Sequence, residues 1–534
     1  MTSESISDRD AHATTLPAEK PEANDDSQEE DRMEYPTGAK LVMILVAIFL
    51  SLVLTGLDFN MIATALPIIT THFQTIADAG WYYSAYRLTS CAFQFIFGNL
   101  YHLFSTKSVF LASVLIFELG SLLAGVAPTS SVLILGRAVS GIGCSGIISG
   151  VLTIIAQCFP LRKRPLFTGL AAAFEGVSSA VAPMLGGALT QSISWRWCFY
   201  INLPLGGLSF LLILLFFQDP LKSKRKTLPW RAKLRQLDLL GAGLFITSVT
   251  LPLLALQWGG TTYSWGDARI IVLFVLSGVI LTAFVWHQKR KGDHALLPAR
   301  VMRSRSVFAG VWFGLCNNSS LSVFEYYMPT YFQAVHGVSA TLSGVLCLPI
   351  VVGLTLSILV GSSLTSAMGY YTPFMIATAV ISPIAAGLLT TLRVKQSLVS
   401  LIFYQALLGV GTGIGFQGPQ VAVQTILPVA DAPIGIALII FAQNVGPAVF
   451  VSIAQTIFTS ELLVRLRGIV PGLDAQALTQ MGVFELQQHV APADRSRVVE
   501  GYDRALTTAF FLPVGLACAT MVGALAMEWR SVKK

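Results

Sequence analysis

Long apolar runs separated by short polar clusters fill the chain from about residue 40 onward. A helix crossing a bilayer needs roughly 20 mainly apolar residues. Fourteen segments meet that length. The first six lie near 41–69, 81–101, 108–127, 131–158, 166–190 and 199–217. Two follow near 237–257 and 268–287, and the last six near 307–335, 341–366, 372–391, 398–427, 433–461 and 504–527. Backbone groups in lipid must satisfy their own hydrogen bonds, so the pattern predicts an all-α integral membrane bundle. Residues 1–39 are polar, acidic and poor in aromatics, which predicts a disordered tail on the cytoplasmic side. The connection 462–503 reads as an external loop of mixed charge, and residues 528–534 as a second cytoplasmic tail.

Composition agrees with the pattern. Hydrophobic residues make up 54% of the chain and charged ones only 12%, against about 25% charged in soluble domains. The net charge of +7 matters through its placement. Basic clusters stand at Arg162-Lys163-Arg164, Lys222 to Arg235 and Lys289 to Arg305, each between an even-numbered span and the next odd one. By the positive-inside rule these connections are cytoplasmic, and so are both termini. The seven cysteines are scattered through apolar segments without CxxC spacing, which favours small buried hydrophobes over a disulfide framework or a metal site.

The two longest basic connections flank spans 7 and 8. This suggests six spans (40–217), a basic insert carrying two spans (218–306), and six more spans (307–527). GNLYHLFSTK (98–107) closes span 2, and GSSLTSAMGYY (361–371) closes span 10, the second of the last six. Paired six-helix halves around a central cavity are the architecture of major facilitator transporters.

Several stretches carry a more specific likeness: GLDFNMIATALPIIT in span 1, GWYYSAYRLTSCAFQFIFGNLY in span 2, LGRAVSGIGCSGI in span 4 and APMLGGALT in span 5. To these add WRWCFYINLPLGG before span 6, and in the second half YYMPTYFQAVHGVSATLSGVLCLP, GVGTGIGFQGPQVAVQT and FAQNVGPAVFVSIAQTIF. With the terminal MEWRSVKK, the chain resembles fungal members of the fourteen-span drug:proton antiporter family of the major facilitator superfamily. The resemblance implies proton-driven efflux of small amphipathic compounds such as drugs, toxins or self-made metabolites, with the plasma membrane as the default address and a vacuolar or vesicular membrane as the alternative. Its partners would be the small molecule, protons and the bilayer, with no cofactor, metal, nucleotide or nucleic acid. No GxxxxGK[ST] loop occurs, so direct ATP drive is disfavoured, and no HExxH or GxSxG pattern argues for an enzyme. The competing readings are a fourteen-span siderophore importer or a sensor on the same scaffold.

Ionisable residues inside spans are functional candidates by default. Asp58 lies mid-to-outer in span 1, while Arg87 and Arg137 each sit about six residues into inward-running spans 2 and 4, so both arginines reach the level of Asp58 at about 1.5 Å per residue. The resemblance associates the span 4 arginine with proton coupling; a static ion pair holding the helices in register is the structural alternative. Glu118 and Glu175 are further proton-coupling candidates, and Glu325 a site for protons or cationic compounds. Gln405, Gln417, Gln420, Gln424, Gln443 and Asn444 offer amides that either line a cavity or bond between helices. Phe324, Tyr326, Tyr327, Tyr331 and Phe332 read as an aromatic wall for a planar ligand or as an interfacial belt. In the resemblance, Gly98 to Lys107 stands at the cytoplasmic gating motif, with His102 in place of its usual Asp. Ala182-Pro183 with Gly186 and Gly187 stands at the antiporter motif, with Ala182 where Gly is usual.

Overall fold

A computed structural model describes residues 35–74, 78–219, 238–259, 263–292, 295–394, 396–428, 431–466 and 495–533. Most of the acidic tail, the basic stretch 222–235 and most of the 462–503 connection therefore lie outside the described residues. Residues 35 to 533 form one compact unit without strands among the described residues, apart from two isolated bridges. Thirteen helices there are long and apolar enough to cross a membrane. They are α1 (Gly38–Phe73), α3 (Thr106–Gly125), α4 (Ser130–Cys158), α5 (Arg164–Ser192), α6 (Trp197–Phe216), α7 (Leu239–Trp258) and α8 (Ala268–Lys291). The rest are α9 (Arg305–His336), α10 (Leu342–Met368), α11 (Thr372–Thr390), α12 (Leu398–Ile426), α13 (Ala432–Leu466) and α14 (Arg495–Ala526). A further helix, α2 (Ala79–Leu103), has the length, but Arg87, Gln94, Asn99 and His102 make it more polar. It packs on α4, α7 and α13, so protein as well as lipid surrounds those groups.

The last helix begins earlier than its hydropathy predicts. Arg495–Ala509 is amphipathic rather than apolar, burying Val498, Tyr502, Ala505, Leu506 and Ala509 at helical spacing against α13 and α9. The 462–503 segment is thus shorter as a loop than its charge suggests, with helix at both of its described edges.

Packing partners repeat with an offset of eight helices. In the first set, α1 packs on α5 and α6, α2 on α4, and α3 on α4 and α6. In the second, α9 packs on α13 and α14, α10 on α12, and α11 on α12 and α14. The sets meet along two seams, α2–α13 and α5–α10, which the same offset exchanges. The α7–α8 hairpin stands outside this repeat.

Local breaks place side chains. In α12 the helix stops at Gly413 and resumes at Gly418 with Pro419 in its first turn. Proline supplies no N–H and disfavours helix in the residue before it. The Gly415 carbonyl, which Pro419 cannot bond, accepts the Gly418 N–H at 3.0 Å, and Thr378 Oγ1 accepts the Gly415 N–H at 2.9 Å, so the break is satisfied inside the protein. It turns Phe416 and Gln417 toward the centre of the bundle.

Asp238 caps α7 and clips it to α8. Its Oδ1 accepts the Gly241 N–H at 3.0 Å and lies 2.8 Å from His287 Nε2 and 3.3 Å from Lys291 Nζ; its Oδ2 accepts Gln288 Nε2 at 2.7 Å. Burial pushes this carboxyl up, but the bonds from His287, Gly241, Gln288 and Lys291 outweigh it and hold the carboxyl below its ordinary range. A folded value below the unfolded one gives stability that is present above about pH 4 and lost as pH falls through the folded value. Asp238→Ala is expected to cost roughly 1 kcal/mol through the lost cap, read as faster amide exchange in the first turn of α7.

Candidate functional site

The first set of helices converges on a buried ionic centre. From α1 comes Asp58, from α4 Arg137, from α6 Asn202, and from α3 Ser121 and Glu118. Arg137 Nη1 bonds Asp58 Oδ2 directly, and both side chains are fully inaccessible. Arg137 Nε donates to the Tyr82 carbonyl at 3.0 Å, and its guanidinium lies 4.5 Å above the Tyr86 ring. Asn202 Nδ2 donates to Asp58 Oδ1 at 2.9 Å and to Ser121 Oγ at 3.1 Å. Among the described residues, Arg137 Nη2 and both Glu118 carboxylate oxygens are buried without a hydrogen-bond partner. Gly206 makes room for Glu118, since a Cβ there would overlap its Oε1.

Such a centre ties ionisation to packing. The pair offsets its desolvation only while both charges are present. A proton on Asp58 breaks the pair and leaves Arg137 as an uncompensated cation.

Between the two sets lies a central cavity of about 130 Å³. Its walls differ. The first set contributes the apolar Leu52, Ile148, Val151 and Leu152 with Thr168 and Glu175 as its polar members, whereas the second contributes the amides Asn318, Gln417, Gln420, Gln443 and Asn444 beside the apolar Phe416 and Ile440. Gln420 Nε2 donates to Gln443 Oε1 at 2.9 Å, and Asn318 Nδ2 donates to the Gln443 carbonyl. The Oε1 atoms of Gln417 and Gln420 are buried without a partner among the described residues. An apolar wall facing an amide wall suits a ligand with one apolar and one polar face.

Depth placed Arg87 level with Asp58, but the helix face directs it elsewhere. It is exposed, 4.2 Å over the Phe59 ring, and its Nη1 donates to Asn444 Oδ1 at 2.9 Å across the α2–α13 seam. Glu325 and Tyr326 are exposed on α9, whereas Tyr327, Phe324, Tyr331 and Phe332 are buried in the core of the second set. The predicted aromatic wall is thus largely core. Gln405 and Gln424 are buried away from the cavity lining. Asn317 is also buried, donating to the Thr412 carbonyl at 3.1 Å, so its glycosylation sequon is inaccessible.

The gating and antiporter segments occupy helix contacts. Gly98 faces α13, where a Cβ would come within 2.8 Å of Ala437 Cβ, and Lys107 Nζ donates to the Leu214 carbonyl at 2.6 Å. His102 lies 3.8 Å from Asp431, which Arg300 also pairs at 2.8 Å. Pro183 lies inside α5, and Gly186 meets α1 at Met61 and Thr64, while Gly187 has open space around it. Asn202 and Gly206 join the ionic centre although charge-seeking did not find them. Both lie in the WRWCFYINLPLGG stretch, whose polar Asn in an apolar run was the available signal.

Comparison with known proteins follows the geometry. A family model described as Major Facilitator Superfamily matches residues 48–451. The chain is 42% identical over 514 residues to the MFS-type efflux pump MFS1 of Arthroderma benhamiae, covering 96% of each chain. It is 44% identical to the MFS-type transporter astH of Aspergillus oryzae, covering 95% of this chain and 90% of that one. The efflux pump roqT of Penicillium rubens is 43% identical, with 92% of each chain covered. Among solved structures, the proton:xylose symporter XylE aligns with a TM-score of 0.59 at 14% identity over 91% of this chain and 95% of that one, a likeness of fold alone.

Proposed function

The chain belongs to the major facilitator superfamily, and on that premise we propose that it exports small amphipathic organic compounds by proton antiport with alternating access. The observation that carries this reading is the central cavity, apolar on one wall and lined with amides on the other, in a chain matching named efflux pumps over nearly its whole length. Helices 40–217 and 307–527 act as two rocking bundles, a division supported by the repeat in their packing partners. The end bearing Arg162–Arg164, Lys289–Lys291 and Arg300 faces the cytoplasm of the plasma membrane. At that end Ser366 bonds the Arg162 carbonyl, and Arg300 and His102 meet Asp431, contacts that part when the cavity opens inward.

Proton coupling is assigned to Asp58 and Arg137, with Glu118 the neighbouring acid and Asn202 the positioning amide. Glu175 is the carboxylate the cavity exposes to cargo, and Gln417, Gln443 and Asn444 contact its polar face. The chain acts as a transporter and not as an enzyme. The test is a panel of lipophilic drugs and aromatic metabolites in proteoliposomes with an imposed pH gradient. Export of at least one compound should dissipate the gradient in proportion to its movement. If none moves and the gradient persists, the efflux reading is wrong.

A further inference from the structure

Ser130 and Arg137 stand two helical turns apart on α4 and so share one face. That face grips α2 twice through a single residue, Tyr82. The Tyr82 carbonyl accepts Arg137 Nε, and its hydroxyl meets Ser130, nearer the end opposite the basic clusters. Asp78 occupies the N-cap position of α2 but makes no side-chain cap bond there. Its Oδ2 instead accepts the Ser130 hydroxyl at 2.5 Å, and Tyr82 Oη lies 2.8 Å from Ser130 Oγ. With the Ser130 proton directed at Asp78, Tyr82 donates to Ser130. Ser130 and Tyr82 are buried, whereas Asp78 is half-buried. A carboxylate acceptor makes such a bond stronger than a neutral one.

The α2–α4 contact differs in freedom along its length. Inward of Arg137 the backbones themselves meet: a Cβ on Gly141 would stand 2.3 Å from the Tyr86 carbonyl oxygen. Thr89 Oγ1 adds a bond to the Ala138 carbonyl at 2.8 Å. Outward of Arg137, Tyr82 lies in the first turn of α2, and helix ends fray unless held. Side chains hold this turn from two sides. Asp78 and Ser130 do so toward α4. On the other side stands the inserted hairpin, which covers the α2–α13 seam by packing α7 on both helices. There Ser84 Oγ donates to Gln257 Oε1 at 2.8 Å, and Trp81 meets Trp258 edge-on at 6.0 Å. Two groups that locate Arg137, the Tyr82 carbonyl and the Tyr86 ring, therefore hang on a helix end fixed by its neighbours.

We propose that Asp78, Ser130 and Tyr82 form a positioning arm that keeps Arg137 within reach of Asp58 while their ion pair is broken. When a proton neutralises Asp58, the guanidinium loses its acid but keeps the Tyr82 carbonyl and the Tyr86 ring. It returns to Asp58 as the proton leaves, instead of settling on another partner. A loosened arm lets the carrier change conformation without that return, and proton movement then no longer drives cargo. The inference rests on the assignment of proton coupling to Asp58 and Arg137 above.

The experiment separates coupling from carriage. Full-length protein in proteoliposomes is offered rhodamine 123, an amphipathic aromatic probe, and followed in two modes: uphill export on an imposed pH gradient, and exchange at equal pH. Ser130→Ala and Asp78→Asn should each lower uphill export about tenfold while exchange stays within about twofold of the parent. Ser130→Thr and Asp78→Glu should regain at least half of the uphill rate. A parallel fall in both modes, or a fall in neither, overturns the arm. A second readout needs no transport: amide exchange of residues 83–86, in the second turn of α2, followed by mass spectrometry in detergent. It should quicken about fivefold in Ser130→Ala, and about threefold when Asp58→Asn and Arg137→Leu are combined, because the arm is gripped from both ends. Unchanged amide exchange in both proteins overturns the arm whatever transport shows. A parent that moves no rhodamine 123, yet shows both accelerations in its variants, counts against the antiport reading and supports the arm. A parent that couples normally, with Ser130→Ala and Asp78→Asn indistinguishable from it, overturns the arm and leaves antiport intact.

Discussion

Asp58→Asn is expected to abolish gradient-driven transport, lowering its rate by roughly 100-fold, equivalent to about 3 kcal/mol. The asparagine keeps the shape and the bond from Asn202 but cannot ionise, so the step that alternately pairs and releases Arg137 is lost. The same substitution strands a fully buried guanidinium, and breaking a buried pair from one side costs about 3–5 kcal/mol. Lower stability would therefore confuse the result if measured alone. Asp58→Asn combined with Arg137→Leu removes both charges and should recover most of the thermal stability without recovering coupling. Arg137→Lys keeps the charge but loses the Nε bond to the Tyr82 carbonyl, and it too should uncouple. Normal coupled export by the neutral pair would return Asp58 and Arg137 to a purely structural role.

The second large effect concerns the helix that carries Arg137. Helices α3 and α4 approach so closely that a Cβ on Gly143 would stand 2.4 Å from Phe117 N and 2.7 Å from its Cα. Those are backbone atoms and cannot swing aside. Gly143→Val must push the helices apart, and overpacking typically costs about 1–3 kcal/mol, more against backbone. Arg137 lies on the same helix and Glu118 on the facing one, so the displacement also disturbs the ionic centre. We expect loss of most folded protein, seen as a broadened gel-filtration profile and a lowered Tm in detergent. Gly187→Val is the contrast: nothing lies within 4 Å of its Cβ position, and its folding should change by less than about 1 kcal/mol. Equal Tm values for the two variants would show that the α3–α4 approach is not a close contact.

How far the site could be read in advance depended on the kind of information each residue carries. Asp58 and Arg137 were legible because a charge in a membrane helix demands a partner, and rise per residue gives its depth. Arg87 had the same depth but a different face, and one sequence does not say which neighbour that face meets. Asn202 carries no charge and sits near the start of α6, so depth arithmetic did not reach it. The amides Gln417, Gln443 and Asn444 were legible as polar groups in apolar runs, but whether each lined a cavity or bonded another helix was not. Gln424 shows the difference, being of the same type and span yet absent from the cavity lining.

Apolar run length and basic loops by themselves determined helices, their number and their order, because lipid leaves backbone no partner but itself. That constraint is local and needs no knowledge of neighbours. Only the tertiary structure decided which faces meet: the pairing of Asp58 with Arg137 and Asn202, the apolar and amide walls of the cavity, and the hairpin's cover over one seam. Those depend on helix rotation and on packing between residues far apart in the chain. In a medium as apolar as the side chains themselves, hydropathy cannot encode rotation, so close fit and a few buried polar bonds select it.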